Sequence, residues 1–293
     1  MSRARYCSAE CQLEDWKPHK KVCKQLAQEY AAEKSGSAAE KMAEGRYEGS
    51  RRALEKVVQV QREQQGSGGG GDAALALSLS HMGEALCEEG RYEEALEKLT
   101  EAHGMLRRLH GDEHEDTTCA LERIGTVHRR QGKHDQALGE LEEALRVLRQ
   151  TLGPEHQDVA ATLNSIAGVH RMQGKLPEAL EGFKEALRIY EKRLGEAHPS
   201  VGRAYMNIGR TLLRMGELDA ALEHLDKALK IQCKALGEES IEVAQVRCNT
   251  AAVYAQQGSD ARARGLFGAA AKTYARVLGP GHEKTQAALR LAR

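Results

Sequence analysis

The sequence predicts an all-α solenoid, a stack of helix-turn-helix repeats, and three observations carry that prediction. Gly90, Gly132, Gly174, Gly216 and Gly258 stand 42 residues apart without a slip. Gly111, Gly153, Gly195, Gly237 and Gly279 keep the same period. Between the ladders apolar residues recur at spacings of three and four, as Leu176, Ala179, Leu180, Phe183, Ala186, Leu187 and Tyr190 do. A fixed period of this size marks stacked repeats, each unable to bury its apolar face alone. The work of such a chain falls to an extended binding surface rather than to a catalytic pocket.

Within one repeat, the first helix ends at a glycine of the first ladder, as in His170 to Gly174. Helices commonly close on a residue at positive φ, which suits glycine. The second helix runs from Lys175 and closes on Gly195 of the second ladder. A short loop then opens the next repeat, and Pro199 suits its first helical turn. His110, His114, His156, His198 and His282 fall in these loops, where they cap or pack helix ends rather than catalyse. The packing positions repeat too. Ala95, Ala137, Ala179, Ala221 and Ala263 form one small-residue series, and Ala102, Ala144, Ala186, Ala228 and Ala270 another. Between them stand Leu99, Leu141, Phe183, Leu225 and Phe267. Small residues let helices approach closely, and the large one fills the gap between repeats.

These glycine and alanine positions resemble the tetratricopeptide repeat (TPR). The 42-residue period and the LGxxH-type loop are similar to the variety found in kinesin light chains, over Asp72 to Arg293. The resemblance implies a right-handed superhelical solenoid whose first helices line a concave face.

The N-terminus is different. Residues 6 to 23 carry Cys7, Cys11, His19 and Cys23, donors of the kind Zn²⁺ prefers. Each pair, Cys7 with Cys11 and His19 with Cys23, is one helical turn apart. The pattern C-x3-C-Q-x3-W-x2-H-x3-C, with Tyr6, Gln12 and Trp16, resembles the second half of a MYND zinc finger. The resemblance implies two zinc sites, each completed by an earlier cysteine pair that this sequence lacks. A two-ligand site binds zinc weakly, and small metal modules are usually unfolded without metal. Three readings stay open: a piece of a longer protein that holds both zincs, a regrouped Cys3His site, or a metal-free helix continuing through Lys24 to Glu33. The resemblance also implies that Gln12 and Trp16 belong to a groove for proline-rich peptides, with simple packing of Trp16 as the alternative.

The domain organisation follows: a partial finger over 1–24, a helical segment with a degenerate repeat over 25–65, a Gly-rich linker over 66–72, five repeats over 73–281 and a capping helix over 282–293. Gly45, Ser50, Leu54 and Val57 match the repeat positions in the degenerate segment. Asp72 reads as an N-cap. The capping helix has Thr285, Ala288, Leu289 and Leu291 as its apolar face.

Composition narrows the function. The 43 basic and 43 acidic residues cancel, so no global field draws the chain to nucleic acid or acidic membrane. No window approaches a membrane span. The expected location is cytoplasmic, with the nucleus as the alternative. Cys87, Cys119, Cys233 and Cys248 lack paired spacing and read as reduced, apolar-type thiols.

Carrying the TPR arrangement over, the inward positions of the first helices give a basic groove. Ser80, His81 and Glu84 face inward from the first repeat, followed by Cys119, Glu122, Arg123, Thr126, Arg129 and Arg130. Asn164, Ser165 and Arg171 come next, then Arg203, Asn207, Arg210 and Arg214, and finally Gln245, Asn249 and Gln256. Clustered arginines focus positive potential and pair bidentately with carboxylates. Asn207 and Asn249 share one repeat position, where an amide can clamp a peptide backbone. The alternative is that many of the arginines pair with glutamates of neighbouring second helices or are simply solvated. The pattern does not fit the chaperone-tail clamp, because Ser80, Glu84 and Glu122 occupy several of the places that clamp needs.

The sequence therefore reads as a non-catalytic adaptor or scaffold that holds an acidic partner peptide, with zinc as the one implied cofactor. The outer face leaves self-association open. The alternative is a piece of a larger MYND-containing regulator or of a SET-type lysine methyltransferase. No stretch alternates with period two for long enough to supply the catalytic sheet such an enzyme needs. Gly66 to Gly71 lacks the lysine of a phosphate loop.

Overall fold

The computed structural model describes residue 36, residues 47 to 64 and residues 72 to 293. Cys7, Cys11, Gln12, Trp16, His19 and Cys23 lie outside the described residues, as do residues 66 to 71 of the expected linker. The described residues form helices joined by short turns, with no strand among them. Helix α1 spans Tyr47–Gln64, α2 Asp72–Glu88, α3 Tyr92–His110 and α4 Glu115–Arg130. Helix α5 spans His134–Thr151, α6 Gln157–Gln173, α7 Leu176–Leu194 and α8 Pro199–Met215. Helix α9 spans Leu218–Leu236, α10 Ile241–Gln256, α11 Asp260–Leu278 and α12 Glu283–Leu291. The chain falls into two compact bodies that meet in sequence at Gln131 and Gly132.

In the N-terminal body α2 packs against α1 and α3, and α3 against α4. In the C-terminal body α6 pairs with α7, α8 with α9 and α10 with α11, and each pair packs on the next. All ten ladder glycines have positive φ. The two ladders nevertheless do different work. Gly174 closes α6 in the left-handed region, at φ 82° and ψ 3°. Its N–H donates to the Arg171 carbonyl, and the Lys175 N–H reaches the His170 carbonyl. Gly195 closes α7 at φ 83° and ψ 156°, an extended positive-φ conformation that is essentially glycine's own.

The repeated alanines are buried throughout, and so are Leu99, Leu141, Phe183, Leu225 and Phe267. A further close approach escaped the sequence reading. A Cβ on Gly209 would lie 2.7 Å from Leu225 Cγ, so the Leu225 side chain of α9 packs directly on the backbone of α8. Nearby, Gln232 of α9 stands where other repeats carry Leu106, Leu148, Tyr190 or Tyr274, and it is 2% exposed. Its Nε2 donates to the Pro199 carbonyl at 3.1 Å. Gly202 makes the room: a Cβ there would lie 3.0 Å from Gln232 Nε2.

Four of the histidines expected in loops are N-caps, whereas His110 is the last residue of α3. Nδ1 of His114, His156, His198 and His282 accepts the backbone N–H of Asp116, Asp158, Ser200 and Lys284 at 3.1–3.3 Å. His110 stacks on His114, ring centroids 4.3 Å apart. Before α10 the cap is Ser240, whose Oγ accepts the Val243 N–H at 3.3 Å. Pro199 is the first residue of α8.

Two expectations shift at the edges. Asp72 is the first residue of α2 rather than its N-cap, and its carboxylate lies in the first turn, favourable to the helix dipole. In α12 only Thr285 and Ala288 are buried, while Leu289 and Leu291 are exposed. The helix is nine residues long, and Ala288 packs with Ala271 and Tyr274 of α11. In the degenerate segment, Ser50, Leu54 and Val57 are buried on α1.

Candidate functional site

The sequence-selected residues lie on the first helices, and the contacts they make differ between the two bodies. In the N-terminal body Arg123 of α4 donates to Ser80 Oγ at 2.6 Å and pairs with Glu84 at 3.2 Å. Arg130 pairs with Glu88. These carboxylates come from α2, the preceding first helix, and not from a second helix. Arg129 Nε is buried without a hydrogen-bond partner. Burial, then the like charge of Arg130, pushes the Arg129 guanidinium down from its ordinary value. His81 is held below its usual range by burial and by Arg123.

The C-terminal body presents a different face. Asn207 of α8 is buried, and its Nδ2 donates to Asn164 Oδ1 of α6 at 2.9 Å. This amide pair joins consecutive first helices and leaves the remaining donor and acceptor of each amide for another group. Arg214 Nη1 donates to the Arg171 carbonyl. The Arg171 guanidinium lies 5.5 Å from the centroid of the Phe183 ring, so this arginine also packs against α7. Arg203 is exposed and Asn249 is half-buried. Arg210 meets water on one side while protein around it desolvates the guanidinium. That desolvation, then the like charge of Arg214, pushes its pKa down.

The sequence dictates the sign of this face. Helix α8 contains Arg203, Arg210 and Arg214 and no Asp or Glu. The acidic residue of α6 is Asp158 and that of α10 is Glu242, both in the first turn. The carboxylates of this body sit mainly on the second helices, as on α7 with Glu178, Glu181, Glu185 and Glu191.

The cysteines of the repeats are free. Burial pushes the thiols of Cys87, Cys119, Cys233 and Cys248 up, which keeps them protonated and unreactive. Among the described residues no group of three His, Cys, Asp or Glu could hold a metal ion. No helix among them is long and apolar enough to cross a membrane. The sequence reading missed one periodic device. Amides of Gln131, Gln173 and Gln257, at the ends of first helices, donate to Glu93, Asp135 and Asp219 at 3.2–3.3 Å. Their spacing by multiples of 42 was the available signal.

Comparison with known proteins bears on the fold and its class. The tetratricopeptide-repeat profile matches residues 72–150, 116–192, 158–234 and 200–276. The MYND-finger profile matches residues 2–23. No curated protein sequence matches the chain. Among solved structures, BtubC (BKLC) from P. vanneervenii is 22% identical with a TM-score of 0.64, covering 78% of this chain and 91% of that one. A Podosopora anserina protein of kinesin-light-chain type, with nearly identical TPR-like repeats, is 21% identical with a TM-score of 0.57, covering 72% and 99%. A Rap protein complexed with competence and sporulation factor is 14% identical with a TM-score of 0.66, covering 96% and 80%. At these identities the likeness is one of fold.

Proposed function

Because the chain belongs to the tetratricopeptide-repeat family, we propose that it is a non-catalytic adaptor holding a segment of a partner protein against its first helices, and that the segment is acidic. The observation that carries the reading is the composition of α8, three arginines on a helix without one carboxylate. A cationic face bordered by the Asn164–Asn207 amide pair suits an extended peptide, whose backbone needs donors and acceptors and whose side chains supply the missing anions. The energy of such binding rests on a few anchors, with charge setting specificity and association rate.

A peptide-display screen against the whole chain tests this, with Arg203→Glu/Arg210→Glu as the control. Acidic peptides recovered by the parent and lost by the control support the reading. Peptides indifferent to the reversal, or to salt, overturn the acidic part of it.

Cys7, Cys11, His19 and Cys23 form the donor set we assign to zinc, within the stretch similar to a MYND finger. Three thiolates and an imidazole suit Zn²⁺ by softness and by number. Zinc stoichiometry by atomic emission is the test: one tightly held zinc per chain supports a Cys3His site, and none removes it.

A further inference from the structure

Resting on the acidic-segment reading above, we propose that α8 reads spacing as well as charge: it holds two carboxylates three residues apart in an extended segment of a partner protein. One carboxylate sits at Arg203 and the other is shared by Arg210 and Arg214.

Helix geometry gives the distance. Arg203 and Arg210 are seven residues apart, two turns, so they project from the same face about 10 Å apart along the axis. An extended peptide in the polyproline II conformation advances about 3.1 Å per residue, so about three residues span that interval. With three residues per turn, its i and i+3 side chains lie on one side of the backbone, toward the arginines. Arg210 and Arg214, one turn apart, double the positive charge at one end. Each guanidinium carries five donors, and the bond of Arg214 to the Arg171 carbonyl uses one of them.

The pair is peculiar to α8. At the place of Arg203 the other first helices carry Leu77, Cys119, Ala161 and Gln245, and at the place of Arg210 they carry Glu84, Thr126, Gly168 and Ala252. A stacking requirement would recur with the repeat, and these two arginines do not. On neighbouring α6 the equivalent residues are the small Ala161 and Gly168, and a Cβ on Gly168 would meet nothing within 4 Å. Arg203, Arg210 and Arg214 are all exposed, so their side chains are open to approach. Arg210 is also partly desolvated and crowded by a like charge, a setting that a bound carboxylate relieves. The arginines of α4 offer no such site, because Arg123 and Arg130 are already paired with Glu84 and Glu88.

The test is fluorescence anisotropy on the whole chain, using labelled peptides of equal length and net charge whose two glutamates stand one, three or six residues apart. The expected result is that the three-residue spacing binds at least fivefold tighter than the others. Arg203→Gln or Arg210→Gln should each weaken it about tenfold and erase the preference, with Arg210→Lys intermediate because lysine lacks the fork. Arg123→Gln/Arg130→Gln should change it less than twofold. Circular dichroism establishes that each variant keeps its helices. Equal affinity for all spacings, with loss on removing the α8 arginines, overturns the spacing rule while the acidic adaptor stands. Equal loss in the α4 variant overturns the assignment to α8. Absence of binding to every acidic peptide, with binding of a basic or apolar one of the same length, overturns both.

Discussion

The two glycine ladders look alike in the sequence and differ at the level of single torsions. Gly174, in the left-handed region, tolerates asparagine, so Gly174→Asn should cost within about 1 kcal/mol. Gly195, extended at positive φ, has no comfortable alternative, and Gly195→Ala should cost about 2 kcal/mol. Urea unfolding of the two variants side by side measures the difference. Glycine's necessity was thus legible in the sequence, and the conformation behind it was not, because one letter serves both. The candidate site shows the same limit. The sequence placed Arg123 and Arg203 in one basic groove, yet Arg123 is bound to Ser80 and Glu84, whereas α8 supplies no carboxylate near Arg203. What separates them is the identity of residues a whole repeat away, which only packing brings together.

At the scale of the element, histidine is the repeated device that starts four helices. The imidazole Nδ1 accepts one of the N–H groups that the first turn of a helix leaves without an intrahelical partner. His198→Ala should therefore destabilise the protein by about 1 kcal/mol at neutral pH, and His198→Ser should recover most of it. Acid acts on His103 of α3. Burial and Arg107 push its pKa down, with Asp112 opposing, so the unfolded chain binds the proton more readily than the folded one. Stability is then full above the ordinary histidine value of about 6.5 and falls as pH drops through it. Urea midpoints at pH 7.5 and pH 5.5 should show the loss, and His103→Gln should make it smaller. The loop histidines were legible as helix-end residues from position alone. The atom doing the capping was not, since a ring nitrogen accepts or donates according to its tautomer.

At the scale of the whole molecule, the repeat period made the fold class, the helix pairs and the buried alanines legible. What it concealed are the departures from the repeat, since a period reports only what recurs. Stability in repeat proteins is a sum of local and nearest-neighbour terms. Gly209→Ala, which drives a Cβ against Leu225, should cost about 1–3 kcal/mol. Hydrogen exchange should show the damage centred on α8 and α9, with α2 and α3 as protected as in the parent. Gly202 and Gln232 carry a consequence for how such a chain can be inherited. Both lie within one 42-residue period, on paired helices α8 and α9. Tandem duplication of that whole period copies the recess together with the side chain that fills it. A crossover in the turn at Gly216 would part them. One recombinant would set the alanine or threonine of other repeats (Ala76, Thr118, Ala160, Ala244) against the glutamine, and the other would set a leucine or tyrosine (Leu106, Leu148, Tyr190, Tyr274) against Gly202 and lose the hydrogen bond to the Pro199 carbonyl. The gene can lengthen in steps of a full repeat, but not by exchanging half of this one.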